Sequence, residues 1–235
     1  MQELTIKINK TTLFIVAALI IGVGLGYGGA TFLGEETQAN PTNINPTFVN
    51  NDPTQPVQPT LNVSLTKDDH ETGAKKPSAT LVVYTDFECS FCQKHHDTIS
   101  QLLQNYGDKI AVVYRNFPLT SLHANAAEAA EAAECAGSQG KFFEYADALF
   151  KNQASLSSAK FGELAKTLGL NTSKFDSCMS SGDYAAKVSA DFTSGTNNGI
   201  QGTPGTVLID KNGNQQLIEG AYPYEQMEAY VKAAI

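Results

Sequence analysis

Apolar and polar positions fall into three regimes along the chain. From Thr11 to Leu33, "TTLFIVAALIIGVGLGYGGATFL" contains no charge, and as a helix it is long enough to cross a hydrocarbon core about 30 Å thick. Residues 34–60 then show no apolar period of either kind and hold five of the nine prolines among many Asn, Thr and Gln residues. That composition predicts a solvated, extended tether. From Leu61 the pattern becomes that of a globular domain. The stretches 79–87 and 109–117 contain short unbroken apolar runs rich in β-branched and aromatic residues, the pattern of strands buried on both faces. Between them Ile99, Leu102, Leu103 and Tyr106 recur at helical spacing, with Gly107 as a stop. This predicts a β-α-β unit whose two strands run parallel through a right-handed crossover. A helical block spans about residues 119–197, with Phe142, Tyr145, Leu149 and Phe150 on one side of one of its helices. Strand signals resume in "TPGTVLID" and "NQQLIEG", joined by a hairpin turn at Asn212-Gly213, and "PYEQMEAYVKAAI" closes the chain as a helix. The expected architecture is α/β: strand, helix, strand, a helical insertion, two strands and a last helix over residues 61–235, preceded by one membrane span.

Charge orients that span. Lys7 and Lys10 precede it and Glu35 and Glu36 follow it, so the positive-inside rule leaves residues 1–10 in the cytoplasm and the globular domain outside. The competing reading is a cleaved signal peptide, whose apolar region is shorter, about 7 to 15 residues, and ends in a small-residue site that "ETQAN" matches poorly. The protein is therefore expected at the cell membrane, single-pass, with an extracytoplasmic domain. A formal net charge of -8 excludes the basic footprint of a nucleic-acid binder. The sequons at Asn62 and Asn171 carry meaning only in a glycosylating host.

Four cysteines carry the candidate chemistry: Cys89, Cys92, Cys135 and Cys178. Zinc is disfavoured by ligand spacing, because a structural site commonly wants two C-x-x-C pairs or one such pair with two spaced histidines. Here only Cys89 and Cys92 are so spaced, and His95 and His96, being adjacent, diverge by about 100° on a helix and are expected as surface or half-buried filler. No metal and no cofactor is expected. A redox reading has a cause at each position. At the start of a helix the Cys89 sulfur faces unpaired N–H groups and the positive end of the helix dipole, which favours its thiolate. Cys92, one turn further on, is shielded and suited to resolving a mixed disulfide, and Ser90 and Phe91 between them tune the ring. Cys135 and Cys178 lack such surroundings. In an outward-facing domain they are expected as a structural disulfide, with two buried free thiols as the alternative.

The segments "DFECSFC", "AAECAGSQGKFFEYADALF" and "GTPGTVLID", in that order, resemble the thioredoxin superfamily and, within it, the DsbA-like thiol:disulfide oxidoreductases. The resemblance covers about residues 61–235. It implies a cis bond at Thr203-Pro204, a loop there that pairs with extended substrate peptide, and catalysis by Cys89 and Cys92. It also implies reduced or unfolded substrate proteins and a quinone-linked membrane reoxidase of the DsbB or VKOR type. Two positions depart from the pattern. Val83 stands six residues before Cys89, where thioredoxins usually carry a buried acid, with Asp86 and Glu88 the nearest acids. Glu88 is read as a solvated helix-start acid, with proton transfer to Cys92 as the alternative. The dipeptide Ser90-Phe91 lacks the histidine of the best-known oxidase. The resulting expectation is a monomeric extracytoplasmic oxidoreductase that donates the Cys89–Cys92 disulfide. A reductase or isomerase using the same chemistry in reverse is one alternative, and a tethered peptide-binding or chaperone module in which C-x-x-C is a staple is the other.

Overall fold

A computed structural model describes residues 60–235. The expected cytoplasmic end (1–10), the membrane span (11–33) and all but the last residue of the tether (34–60) lie outside the described residues. Among the described residues no helix is long and apolar enough to cross a membrane.

Five strands form one sheet: β1 (His70–Gly73), β2 (Ala79–Thr85), β3 (Ile110–Asn116), β4 (Gly205–Asp210) and β5 (Gln215–Glu219), in the order β1-β3-β2-β4-β5. Helix α1 (Ser90–Tyr106) links β2 to β3, and α7 (Tyr224–Ala234) follows β5. The insertion holds α2 (Ala126–Gly137), α3 (Phe142–Lys151), α4 (Ser158–Thr167), α5 (Thr172–Ser181) and α6 (Ala185–Asn197). Two features differ from the sequence expectation. The sheet is mixed: β2 and β3 are parallel, but β4 pairs antiparallel with β2, and β1 antiparallel with β3. Strand β1 had no sequence signal, because "HETG" is four residues of polar edge strand with no buried face to impose alternation.

Every residue of β2 and β3 is buried, which accounts for their continuous apolar runs. On one face Leu81, Val83, Val112 and Tyr114 join Cys89, Cys92, Ile99 and Leu102 and the insertion in the larger core. On the other, Val82, Tyr84, Val113 and Phe117 make a smaller core with Val207. Helix α6 closes on that smaller core at Gly195, where a Cβ would stand 2.7 Å from the Phe117 ring. Glycine is required there by packing.

The insertion is fastened to the sheet by a buried carboxylate. Glu134 of α2 accepts from Asn116 Nδ2 at 2.6 Å, contacts His70 Nε2 at 2.7 Å and pairs with Lys187 Nζ at 3.0 Å. One acid thereby ties β1, β3, α2 and α6 together. Around it Ala129, Ala132, Ala133 and Ala136 are wholly buried, their small side chains letting α3 and α5 approach closely. Asn171, a sequon residue, caps α5 by accepting from Lys174 N at 3.0 Å.

Candidate active site

Cys89 is the N-cap of α1, in extended backbone conformation, with no side-chain cap of its own. Its sulfur consequently sits among the unpaired N–H groups that begin the helix. The turn before it is fixed from outside: Gln153 Nε2 donates to the carbonyls of Phe87 at 2.9 Å and Cys89 at 3.0 Å. Cys92, one turn on, is 1% exposed and accepts from Asp86 N at 3.5 Å. Both sulfurs are reduced thiols in this structure. Ser90 is exposed, and Phe91 is 59% exposed with Lys94 Nζ 5.5 Å from its ring centre.

The loop entering β4 lies against Cys89. The Thr203-Pro204 bond is cis, and the Cys89 thiol donates to Thr203 O at 3.5 Å. The Thr203 hydroxyl is buried without a partner among the described residues. The structure therefore brings Cys89, Cys92, Thr203 and Pro204 to one end of the sheet. Cys135 and Cys178 lie elsewhere, joined as a disulfide between α2 and α5 with Cα atoms 5.9 Å apart.

The two thiols are driven apart in acidity. The Cys89 thiol is pushed down from 9.0 to about 5, first by the hydrogen bond from Cys92, then by the N–H groups of Cys92 and Phe91 and by the Thr203 side chain, against the opposing effect of burial. Cys92 is pushed far up, chiefly by burial and further by the thiolate beside it. At neutral pH the pair holds one proton, on the inner sulfur. This is the arrangement of an attackable outer cysteine and a sheltered resolving one.

Three polar residues behave differently from the sequence reading. Glu88 is not a freely solvated acid: its carboxylate accepts from Asn125 N at 2.6 Å and Asn125 Nδ2 at 2.8 Å, clamping the entry to α2 beside the site. His95 is fully buried and not filler: its Nε2 lies 2.9 Å from Thr206 Oγ1, two residues past Pro204. Burial pushes it down to about 4, so the ring is neutral. His123 carried no local sequence signal, yet the fold brings its Nδ1 within 2.8 Å of Asp86. That carboxylate raises its pKa, with help from the charge on Cys89. Asp86 also accepts from Leu119 N and Glu88 N, at 2.7 and 2.8 Å, so it anchors the 119–125 loop next to Cys89.

The fold is that of solved proteins of the DsbA-like group. The structure resembles DsbA2 of Pseudomonas aeruginosa (TM-score 0.61, 23% identity, covering 74% of this chain and 97% of that one). It also resembles the thiol-disulfide exchange protein alpha-DsbA2 of Wolbachia pipientis (TM-score 0.63, 20% identity, 71% and 87% covered). The family model described as Thioredoxin matches residues 65–233, and the chain belongs to that family. A curated relative from Salinispora arenicola, named Na(+)/H(+) antiporter NhaA 1, is 34% identical over 166 residues, which is 71% of this chain and 24% of that protein. The chain thus spans about a quarter of that relative's length.

Proposed function

We propose that the protein is an extracytoplasmic disulfide donor, in which oxidised Cys89–Cys92 passes its disulfide to secreted or envelope proteins. The observation that carries this reading is the stabilised Cys89 thiolate. A surrounding that favours the thiolate stabilises the reduced pair, and a stable reduced pair makes the disulfide a strong oxidant. A substrate thiolate attacks Cys89 Sγ, the Cys89–Cys92 bond breaks, and Cys92 leaves with the electron pair and takes up a proton. A second substrate thiolate then attacks the substrate sulfur of the mixed disulfide and releases Cys89 as its thiolate. The substrate has lost two electrons and the protein has gained them.

Backbone at Thr203 and Pro204 is the dock for an extended peptide on this reading, and exposed Phe91 adds apolar contact beside it. An oxidising compartment suits the Cys135–Cys178 disulfide. The charge-free segment 11–33 with lysines before it supports a membrane anchor that leaves the domain outside. Renewed turnover then calls for a membrane oxidase of the DsbB or VKOR type to reoxidise the pair. The test is single-turnover mixing of the oxidised full chain with a reduced peptide bearing two cysteines, followed by mass. One intramolecular disulfide per protein should form in the peptide while Cys89 and Cys92 become thiols. Retention of the protein disulfide, with reduced protein instead cleaving oxidised peptide, contradicts the assignment.

A further inference from the structure

A peptide can lie beside Thr203 and meet Cys89 only if β4 stands at a set distance from the helix that carries the cysteines. Thr206 is the residue of β4 that faces that helix. The sheet holds its backbone from both sides, opposite Val83 of β2 and Ile218 of β5. Along β4 the faces alternate: Val207 belongs to the smaller core, while Leu208, on the same face as Thr206, belongs to the larger core with Cys89, Cys92, Ile99 and Leu102. Thr206 is wholly buried there, and a hydroxyl in such surroundings is destabilising unless it is paired.

Its partner is His95 Nε2, 2.9 Å away. The other ring nitrogen, Nδ1, is buried with no partner among the described residues. A leucine or phenylalanine would fill this place in α1 without stranding a nitrogen, so what the histidine contributes is the single bond to Thr206. Among the described residues no other side-chain hydrogen bond joins α1 to β4. His95 lies six residues from Cys89, about 9 Å along the helix. Thr206 lies three residues from Thr203, at most about 11 Å of extended chain. The two arms have similar reach, and they meet again at their outer ends, where the Cys89 thiol donates to Thr203 O at 3.5 Å. A slip at the inner bond is therefore carried to the outer gap with little loss.

We propose that His95 is the positioning residue of this site: its hydrogen bond to Thr206 pins β4 and the Thr203-Pro204 loop to α1, and so sets the gap between the Cys89 sulfur and the Thr203 backbone that a peptide substrate enters. His95 touches neither sulfur in this role and acts only through the strand. The pin matters to a partner that needs both sides of the gap at once, a peptide with backbone beside Thr203 and sulfur at Cys89. A small thiol that reaches Cys89 alone does not depend on it.

The inference rests on Cys89 and Cys92 being an exchange pair that acts on peptide. The test compares two reductants of the oxidised full chain, a two-cysteine peptide and dithiothreitol, which has no peptide backbone to lie beside Thr203. Thr206→Val, which keeps the shape and removes the hydroxyl, should lower the second-order rate constant with the peptide about tenfold, the scale of one lost hydrogen bond, and leave that with dithiothreitol within about twofold of the parent's. Thr206→Ser, which keeps the hydroxyl, should restore the peptide rate. If Thr206→Val does not fold, His95→Asn, whose amide falls short of Thr206, decides by the same comparison, with His95→Gln as the restoring variant. Parent rates with both reductants, an equal fall with both, or a fall that the restoring variant shares each overturn the pin and leave the exchange reading standing. Failure of the oxidised parent to react with the peptide overturns the exchange reading and the pin together.

Discussion

The chain contains two cysteine pairs whose burial is the same and whose states differ. Cys89 and Cys178 are each 7% exposed, and Cys92 and Cys135 each 1%, so shielding from solvent does not separate a redox pair from a structural one. Surroundings and chain separation do. Cys89 begins a helix and faces N–H groups and an unpartnered Thr203 hydroxyl, all of which favour a negative sulfur. Cys135 lies near the end of the alanine-rich α2 and Cys178 near the end of α5, positions where the helix dipole opposes a thiolate. Their bond closes a loop with a sequence separation of 43, where a disulfide removes much unfolded-state entropy. The C-x-x-C ring closes almost none. One pair is placed to be opened, the other to stay closed.

The largest expected break in this contrast is Cys89→Ser, which should abolish disulfide transfer to a two-cysteine peptide while leaving thermal unfolding cooperative. The converse change, Cys135→Ala with Cys178→Ala, should cost about 2–5 kcal/mol in denaturant unfolding and leave transfer by folded protein intact. A double variant that loses transfer while still folded would place the insertion disulfide in the chemistry.

A smaller effect concerns pH. The reduced protein has Cys89 near about 5 in the fold against an ordinary 9.0. A depressed acid contributes stability that is complete above the ordinary value and is lost as pH falls through the folded value. The reduced form should therefore melt above the disulfide form at neutral pH, and the gap should close as pH falls towards 5. A gap that widens on acidification contradicts the thiolate account. Thr203→Val, removing the hydroxyl but keeping the shape, should raise the pH midpoint of Cys89 alkylation by about one unit. The smallest shift is expected from His123→Gln, about half a unit in the same direction, since His123 acts across Asp86 and is more open to water.

Much of this arrangement was legible in the chain itself. Continuous apolar runs marked β2 and β3, helical spacing marked α1 and the insertion, and the placement of C-x-x-C between strand and helix marked the N-terminus of α1. What was not legible depended on distant partners. Glu88 reads as a solvated acid until Asn125, 37 residues later, arrives to hold it. His95 reads as filler because an apolar helix face does not reveal the Thr206 hydroxyl waiting across from it. Strand β1 is too short and polar to carry a period, and the antiparallel pairing of β4 with β2 is a tertiary arrangement that no local period encodes. Tyr114 reads as one more apolar strand residue, and only the fold shows its hydroxyl on His96.

The most direct measurement is the reduction potential of Cys89–Cys92 in the full chain, equilibrated in glutathione buffers with Cys135 and Cys178 tracked separately by mass. The stabilised thiolate predicts a value near about -120 mV, that of a disulfide donor. A value near about -270 mV would contradict the account and make the protein a reductant.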